Sequence, residues 1–233
     1  GASVLALSPH PRMFPKAVNR APSAVSTKTR ILEAALDLFN AEGFGALSAV
    51  DVASALGISP GHLYYHFRGK AEIAAALARS YRDECDMVLD AARDACRGEA
   101  ATLETLWTYV HILLEEAWDS RFLYREAQAL AAAHADLAAD LRHILVRQRD
   151  TLRALLGELA GRGVIAAGPE VLDGVARLMT TAVGYHALLL ELEGDAGPPR
   201  ERVARAAAQI MLLPAGLIST GRAGARSAGE GKA

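Results

Sequence analysis

Along most of the chain, apolar residues recur every three or four positions, the spacing that gathers them on one side of an α-helix, and strand-like alternation is scarce. The first stripe is Ile31, Ala35, Leu38 and Phe39, entered near Ser26 and closed by Gly43, where a helix C-cap glycine belongs. A shorter helix begins at Ser48, with Asp51 as its capping-box partner and Val52, Ala53 and Leu56 on its inner side. Gly57 permits a sharp turn, Ile58 plugs the angle, and Ser59-Pro60 supplies an N-cap followed by the proline favoured at the first helical position. A brief third helix therefore runs through Leu63, Tyr64, Tyr65, His66 and Phe67, with Leu63 and Phe67 one turn apart on its inner face. Gly69-Lys70 ends it, and a long fourth helix is predicted over about 71–97.

Beyond Gly98 the pattern predicts four or five further helices, near 101–117, 119–133, 136–160, 169–192 and 199–219. Their separators are Gly161-Arg162-Gly163, Gly168-Pro169 and the stretch from Gly194 to Pro199, and Pro214 should kink or end the last helix. Pro9, Pro11, Pro15 and Pro22 make 1–25 an irregular arm, and the Gly/Ala/Ser tail 221–233 is expected to be disordered. The chain thus reads as all-α: a three-helix helix-turn-helix unit over 26–72, joined by a long helix to a larger helical domain over 73–220.

The net charge of −2 changes meaning once it is divided. Arg12, Lys16, Arg20, Lys28 and Arg30 stand in the first 30 residues with no acid among them, so the rest of the chain is acidic by 7. A basic arm ahead of a helix-turn-helix can lie along phosphates; the plainer reading is a solvated tail. The only cysteines, Cys85 and Cys96, would lie about 16 Å apart on one helix at 1.5 Å rise per residue, too far to pair. With no signal-peptide pattern and no membrane-length apolar run, the expectation is a reduced, cytoplasmic protein that also meets the nucleoid. Gly1 is not a natural initiator, and Met13 is an alternative start. The chain has no phosphate loop and no zinc-type His-Glu-x-x-His, and it reads as a non-enzyme without cofactor or metal.

Two short helices around a glycine turn, the second opening Ser-Pro-Gly-His, suit a major-groove reader. From Thr29 to about Leu77 the chain resembles the DNA-binding domain of the TetR family of bacterial regulators. The resemblance rests on Arg30-Ile31-Leu32-Glu33-Ala34-Ala35, Leu38-Phe39, Gly43-Phe44, Ser48, Val52-Ala53, Leu56-Gly57-Ile58-Ser59-Pro60-Gly61, Leu63-Tyr64-Tyr65-His66-Phe67 and Lys70. It implies that the third helix reads double-stranded operator DNA, with Ser59, Pro60, Gly61 and His62 at its base-facing start and Tyr64, Tyr65 and His66 reaching base or phosphate. Ser48 and Lys70 match phosphate-binding positions, and Lys28 is a weaker candidate. Each residue has a structural rival: Tyr64 and His66 as core, Lys70 and Lys28 as solvated surface.

The resemblance fades after the fourth helix but implies a helical ligand-binding and dimerisation domain. Val171, Val175, Leu178, Met179 and Ala182 form one stripe, and Val203, Ala207, Ile210 and Leu217 a second, which together suit a four-helix homodimer interface or an ordinary core. A pocket for a small organic effector is expected among Trp107, His111, Trp118, Phe122, Tyr124, His143, Tyr185 and His186, where large or polar groups interrupt an Ala/Leu background. The reading is a ligand-responsive transcriptional regulator, a repressor released from a pseudo-palindromic operator; the alternatives are an activator, or a ligand-independent regulator working through protein partners.

Overall fold

Ser26 opens α1 (Thr27–Glu42) by accepting the Thr29 N–H on its hydroxyl at 3.1 Å, and Gly43, at φ +89°, closes it by donating its N–H to the Phe39 carbonyl. Ser48 and Asp51 form the expected capping box at the start of α2 (Ala49–Ala55). Gly57, at φ +65°, makes the turn into α3 (Pro60–His66), where Ser59 Oγ accepts the His62 N–H at 3.2 Å. Ile31, Ala35, Leu38, Phe39, Val52, Ala53, Leu63 and Phe67 are buried together and lock the three helices into one head. The computed structural model describes residues 26–96, 101–194 and 197–219; the arm expected at 1–25 and the tail at 221–233 lie outside these residues.

Among the described residues the chain continues as α4 (Lys70–Ala95), α5 (Leu103–Asp119), α6 (Arg121–Arg125), α7 (Ala127–Ala133), α8 (Ala135–Gly161), α9 (Pro169–Leu192) and α10 (Pro199–Ala215). The single helix expected at 119–133 is broken at Glu126, whose carboxylate is drawn away to the head. The last helix stops at Ala215, short of 219, because Pro214 and Gly216 end it. Residues 217–219 turn back along the α8–α9 loop: Ala166 N–H donates to Leu217 O at 2.7 Å, and Ser219 N–H to Val164 O at 3.0 Å. Cys85 on α4 and Cys96 at its C-cap are free and buried.

α4 carries the head onto the larger domain. It runs parallel to α8, joined by a polar ladder in which the partners advance together: Arg82 to Asp140 at 2.7 Å, Asp86 to His143 at 2.8 Å, Arg147 to Asp90 at 2.5 Å, and Arg93 to Thr151 at 3.1 Å. α9 packs on the other flank of α8, and α10 covers α5 and α9. The interior is filled by Tyr81, Leu89, Leu106, Leu113, Leu123, Leu156 and Met179, among others.

A second junction ties the larger domain to the end of α1. Arg125 Nη2 donates to Asn40 O at 2.7 Å and Phe39 O at 3.3 Å, two carbonyls at the helix end. Glu126 accepts the N–H groups of Phe44 at 2.5 Å and Gly45 at 2.9 Å. Asn40 donates to Asp119 O at 2.7 Å and accepts from Phe122 N at 3.0 Å, while the Phe39 and Phe122 rings pack at 5.3 Å. Replacing Glu126 by Ala removes two bonds from a carboxylate to backbone N–H groups, one half-buried and one exposed, and is expected to lower stability by about 1–3 kcal/mol, the usual worth of hydrogen bonds to a charged group. Thermal unfolding followed by circular dichroism measures it, and an unchanged midpoint would show that water replaces the carboxylate.

Candidate DNA-reading helix and regulatory site

α3 buries Leu63, its C-cap Phe67 is buried too, and Pro60, Gly61, His62, Tyr64 and Tyr65 are exposed. Tyr64 is 49% exposed, so it is not the core residue its rival reading required; Tyr65 is 85% exposed, and His66 is half-buried. His62 is exposed and stacks on His66 at 5.5 Å, one helical turn later, and Tyr65 meets His66 edge-on at 5.1 Å. Pro60 and Gly61 lie at the open N-terminal end; a methyl placed on Gly61 would meet nothing nearer than Ser59 Oγ at 4.0 Å. Nothing inside the protein therefore demands a glycine there.

Three residues expected at phosphate behave differently. Lys70 is turned inward: Nζ donates to Phe44 O at 2.8 Å and Leu47 O at 2.6 Å, and lies 4.4 Å from the centre of the Phe44 ring. It tethers the α1–α2 loop, because two carbonyls and an aromatic face hold the ammonium better than open water does. Ser48 Oγ is engaged with Asp51 at 2.6 Å, and that bond holds the Asp51 carboxyl below its usual range. Lys28 stays exposed, 5.5 Å above the Phe67 ring.

Gly57-Ile58-Ser59-Pro60-Gly61 also spells the spacing of a hydrolase nucleophile elbow. The geometry is that of a helix cap. Ser59 sits between two helices, with no strand before it, and its hydroxyl accepts the His62 N–H. Among the described residues no group of three or more His, Cys, Asp or Glu is placed to hold a metal ion, and no helix is long and apolar enough to cross a membrane.

The eight residues expected to line one pocket divide. Phe122 is fully buried against Phe39, and Tyr124 is core: its hydroxyl meets that of Tyr81 at 2.7 Å, and its ring lies so close to Gly184 that a Cβ there would come within 2.7 Å. His143 belongs to the α4–α8 ladder. Tyr185 borders an open groove of about 210 Å³ between α8 and α9, lined by Leu145, Val146, Arg149, Arg177, Thr180 and Thr181. Aromatic residues at helical spacing cannot announce which neighbour they will meet, and these four went to four different ones.

The other four point to a single region. Trp107, His111 and Trp118 share one face of α5, and His186 of α9 lies near Arg202 of α10, whose charge, after burial, helps to lower the His186 pKa. Trp107 stacks on His111 at 4.9 Å, and Arg202 and Arg121 stand over the Trp118 ring at 4.4 and 4.8 Å. Glu115, on the same face of α5, is 5% exposed and sits 3.3 Å from His111 Nε2. Burial, reinforced by Asp119 and opposed by Arg200, pushes the Glu115 carboxyl up to about 7; burial also lowers His111. Sequence reasoning missed Glu115 and Arg202. The signal for Glu115 was present, an acid beside the apolar run Ile112-Leu113-Leu114, whereas Arg202 looks like any charge in a solvated first turn.

The dimer stripes also change. Met179, Val203, Ala207 and Ile210 are buried within the chain, and Val175, Ala182 and Leu217 are half-buried against its core. Only Val171 and Leu178 of that set remain exposed, and with Tyr185 and Leu192 they form an outward stripe at seven-residue spacing on α9. The helix carries an inward and an outward apolar face, and the expected stripe mixed the two.

Residues 31–77 match the family of bacterial regulatory proteins called tetR, and residues 80–223 match a bacterial transcriptional repressor family also named TetR. The chain belongs to the TetR family. Its head is a helix-turn-helix DNA-binding unit, and the protein is a transcriptional regulator. The chain is 26% identical over 200 residues to the HTH-type transcriptional regulator SrpR of Pseudomonas putida, covering 77% of this chain and 90% of that protein. It is 30% identical over 106 residues to the probable HTH-type transcriptional regulator YttP of Bacillus subtilis, covering 44% of this chain and 51%, about half, of that relative. Among solved structures, a TetR-family regulator from Marinobacter aquaeolei VT8 superposes with a TM-score of 0.75 at 24% identity, over 84% of this chain and 93% of that one. The ketosteroid regulator KstR2 of Mycobacterium tuberculosis superposes at 0.64 with 21% identity, over 85% and 98%. At such identities the shared property is the fold.

The raised Glu115 pKa gives this TetR-family chain a pH signature. A carboxyl whose folded pKa exceeds its unfolded one stabilises the fold below the unfolded value, and that contribution is lost as pH rises through the folded value, here about 7. Glu115→Gln is therefore expected to match the parent in thermal stability near pH 5 and to exceed it at pH 8. Melting curves across that range check it; parallel curves at both pH values would mean that Glu115 is solvated.

Proposed function

We propose that the protein is a homodimeric repressor that sets two α3 helices in successive major grooves of a pseudo-palindromic operator and leaves it when a small organic effector binds the regulatory domain. It acts in the cytoplasm, on nucleoid DNA, and not as an enzyme. The observation that carries the reading is α3 itself: a helix anchored by Leu63 and Phe67 that spends His62, Tyr64 and Tyr65 on solvent, leaves His66 half-exposed and keeps an open glycine at its tip. A helix of this shape fits the major groove, and Gly61 lets the backbone approach DNA. The outward stripe of α9, with Leu212 exposed on α10, supports pairing of two copies.

Switching would follow from spacing. An effector that prefers a state with the heads apart or tilted draws the population off DNA by its differential affinity alone. The second reading, a ligand-independent regulator, draws on Phe122 and Tyr124, which fill core rather than line a cavity. Operator binding measured with and without effector separates the two.

A gel shift on the DNA upstream of the protein's own gene, against a scrambled duplex across a salt series, tests the regulator reading. His62→Ala and His66→Ala are each expected to weaken selective binding about tenfold or more, the ~1–3 kcal/mol of a lost base contact; unchanged affinity in both folded variants would refute the role given to α3. Leu178→Glu is expected to shift the mass in solution from two chains to one, read by light scattering, and to cost operator affinity with it. A variant that stays dimeric would move the interface away from α9.

A further inference from the structure

Folded proteins pair nearly all their buried polar groups, so a cluster of unpaired ones calls for a reason. Among the described residues, eight buried side-chain nitrogen and oxygen atoms lack a partner, and five belong to His111, Glu115, His186 and Arg202: Nδ1, Oε2, Nε2, and the Nε and Nη2 of Arg202. These residues sit on α5, α9 and α10, where the three helices pack together.

Arg202 is the most demanding of them. It is only 8% exposed and lies over the Trp118 ring at 4.4 Å. Stacking on an aromatic face compensates part of a guanidinium's charge but leaves its in-plane N–H bonds unmet. Nε and Nη2 form one edge of that plane, and their parallel donors match the two oxygens of a carboxylate. His186, half-buried on the neighbouring α9, adds a buried ring nitrogen, Nε2, that has no partner and feels the charge of that guanidinium. A single anionic, planar head is the chemistry that answers both a guanidinium edge and an imidazole nitrogen. A phosphate dianion suits the place less well, because the Glu115 carboxyl opens its unpaired Oε2 from the same face of α5 that carries Trp118.

We propose that Arg202 and His186, beside Trp118, seat the carboxylate of a small organic monocarboxylic acid, and that this acid is the effector. The second half rests on the ligand-responsive reading above. The Oε2 of Glu115 stands ready for a hydroxyl or amide donor elsewhere on the same molecule, and the Trp107–His111 stack continues that face of α5 towards solvent.

Titration calorimetry of the full chain with octanoate, phenylacetate and indole-3-acetate, each against its primary amide at equal ionic strength, tests the site without DNA. At least one acid is expected to bind tenfold or more tightly than its amide. Arg202→Met should abolish that preference, and Arg202→Lys, which keeps the charge and loses the fork, should weaken it. If the Arg202 variants fail to fold by circular dichroism, His186→Gln carries the same test with a several-fold loss expected. Equal binding of acid and amide, binding of none of the acids, or a preference that survives these substitutions overturns the proposal. The operator gel shift repeated with the bound acid then reads the second half. An acid that binds yet leaves operator affinity unchanged overturns its role as effector, while selective DNA binding in its absence is judged independently.

Discussion

The end of α1 cannot satisfy itself. Gly43 caps the Phe39 carbonyl from within the DNA-binding head, but the Asn40 carbonyl and the N–H groups of Phe44 and Gly45 are met from outside it, and a helix end left bare within a protein is costly. The partners come from 80 residues further on: Arg125 takes the carbonyls, Glu126 takes the N–H groups, and Asn40 is held from both sides by the backbone around Asp119 and Phe122. Lys70, at the start of α4, takes two carbonyls of the loop, those of Phe44 and Leu47. The orientation of α1 decides that of α2 and α3, which share its core, so the reading helix is aimed by residues of the regulatory domain.

The same short segment faces the other way as well. Between Phe122, which packs on the head, and Arg125, which caps it, stands Tyr124, bonded to Tyr81 of α4 and pressed against Gly184 of α9. Gly184 adjoins Tyr185, which belongs both to the α8–α9 groove and to the exposed stripe of α9. A shift of α9 thus has little room to be absorbed locally, because Tyr124 has no slack on its Gly184 side and packed interiors transmit strain. The segment 119–126 forms a crossroads between the stripe, the connecting helix and the head.

How much of this could be read in the chain varied with the kind of interaction. The head was legible nearly to the residue, because its elements announce themselves through local chemistry: Ser26, Ser48 and Ser59 as caps, Gly43 and Gly57 as turns, Pro60 at a first helical position. The regulatory helices were legible as helices but not as faces. α9 has apolar residues on two sides, and spacing alone assigned Met179 to a surface that only Leu178 and its fellows reach. The break at Glu126 was not legible, since its cause lies in the α1–α2 loop, far off in sequence. Lys70 followed the same rule in reverse: its place in the motif suggested phosphate, and its own fold supplied two carbonyls first.

Two polar seams in one domain show opposite solutions to burial. Along α4 and α8, Arg82, Asp86, Asp90, Arg93, Asp140, His143, Arg147 and Thr151 pair at hydrogen-bond distance, partly open to water, where such contacts are individually weak and mainly hold register. At α5, α9 and α10 the charges are fewer, and apart from the 3.3 Å contact between His111 Nε2 and Glu115 Oε1 the buried Oε2 of Glu115, Nδ1 of His111, Nε2 of His186 and Nε and Nη2 of Arg202 stay unpaired although opposite charges are present. Removing charged groups from water without pairing them costs several kcal/mol, and part of that cost here is met by the Trp118 ring and by the shift of Glu115 towards its neutral form. A domain able to complete a ladder on one flank leaves another incomplete, so the open valences mark the place where an outside molecule gains most by entering. That gain is also the lever: an acid bound between α9 and α10 stabilises whichever spacing of those helices seats it best, and α9 leads through Gly184 and Tyr124 to the residues that aim the head.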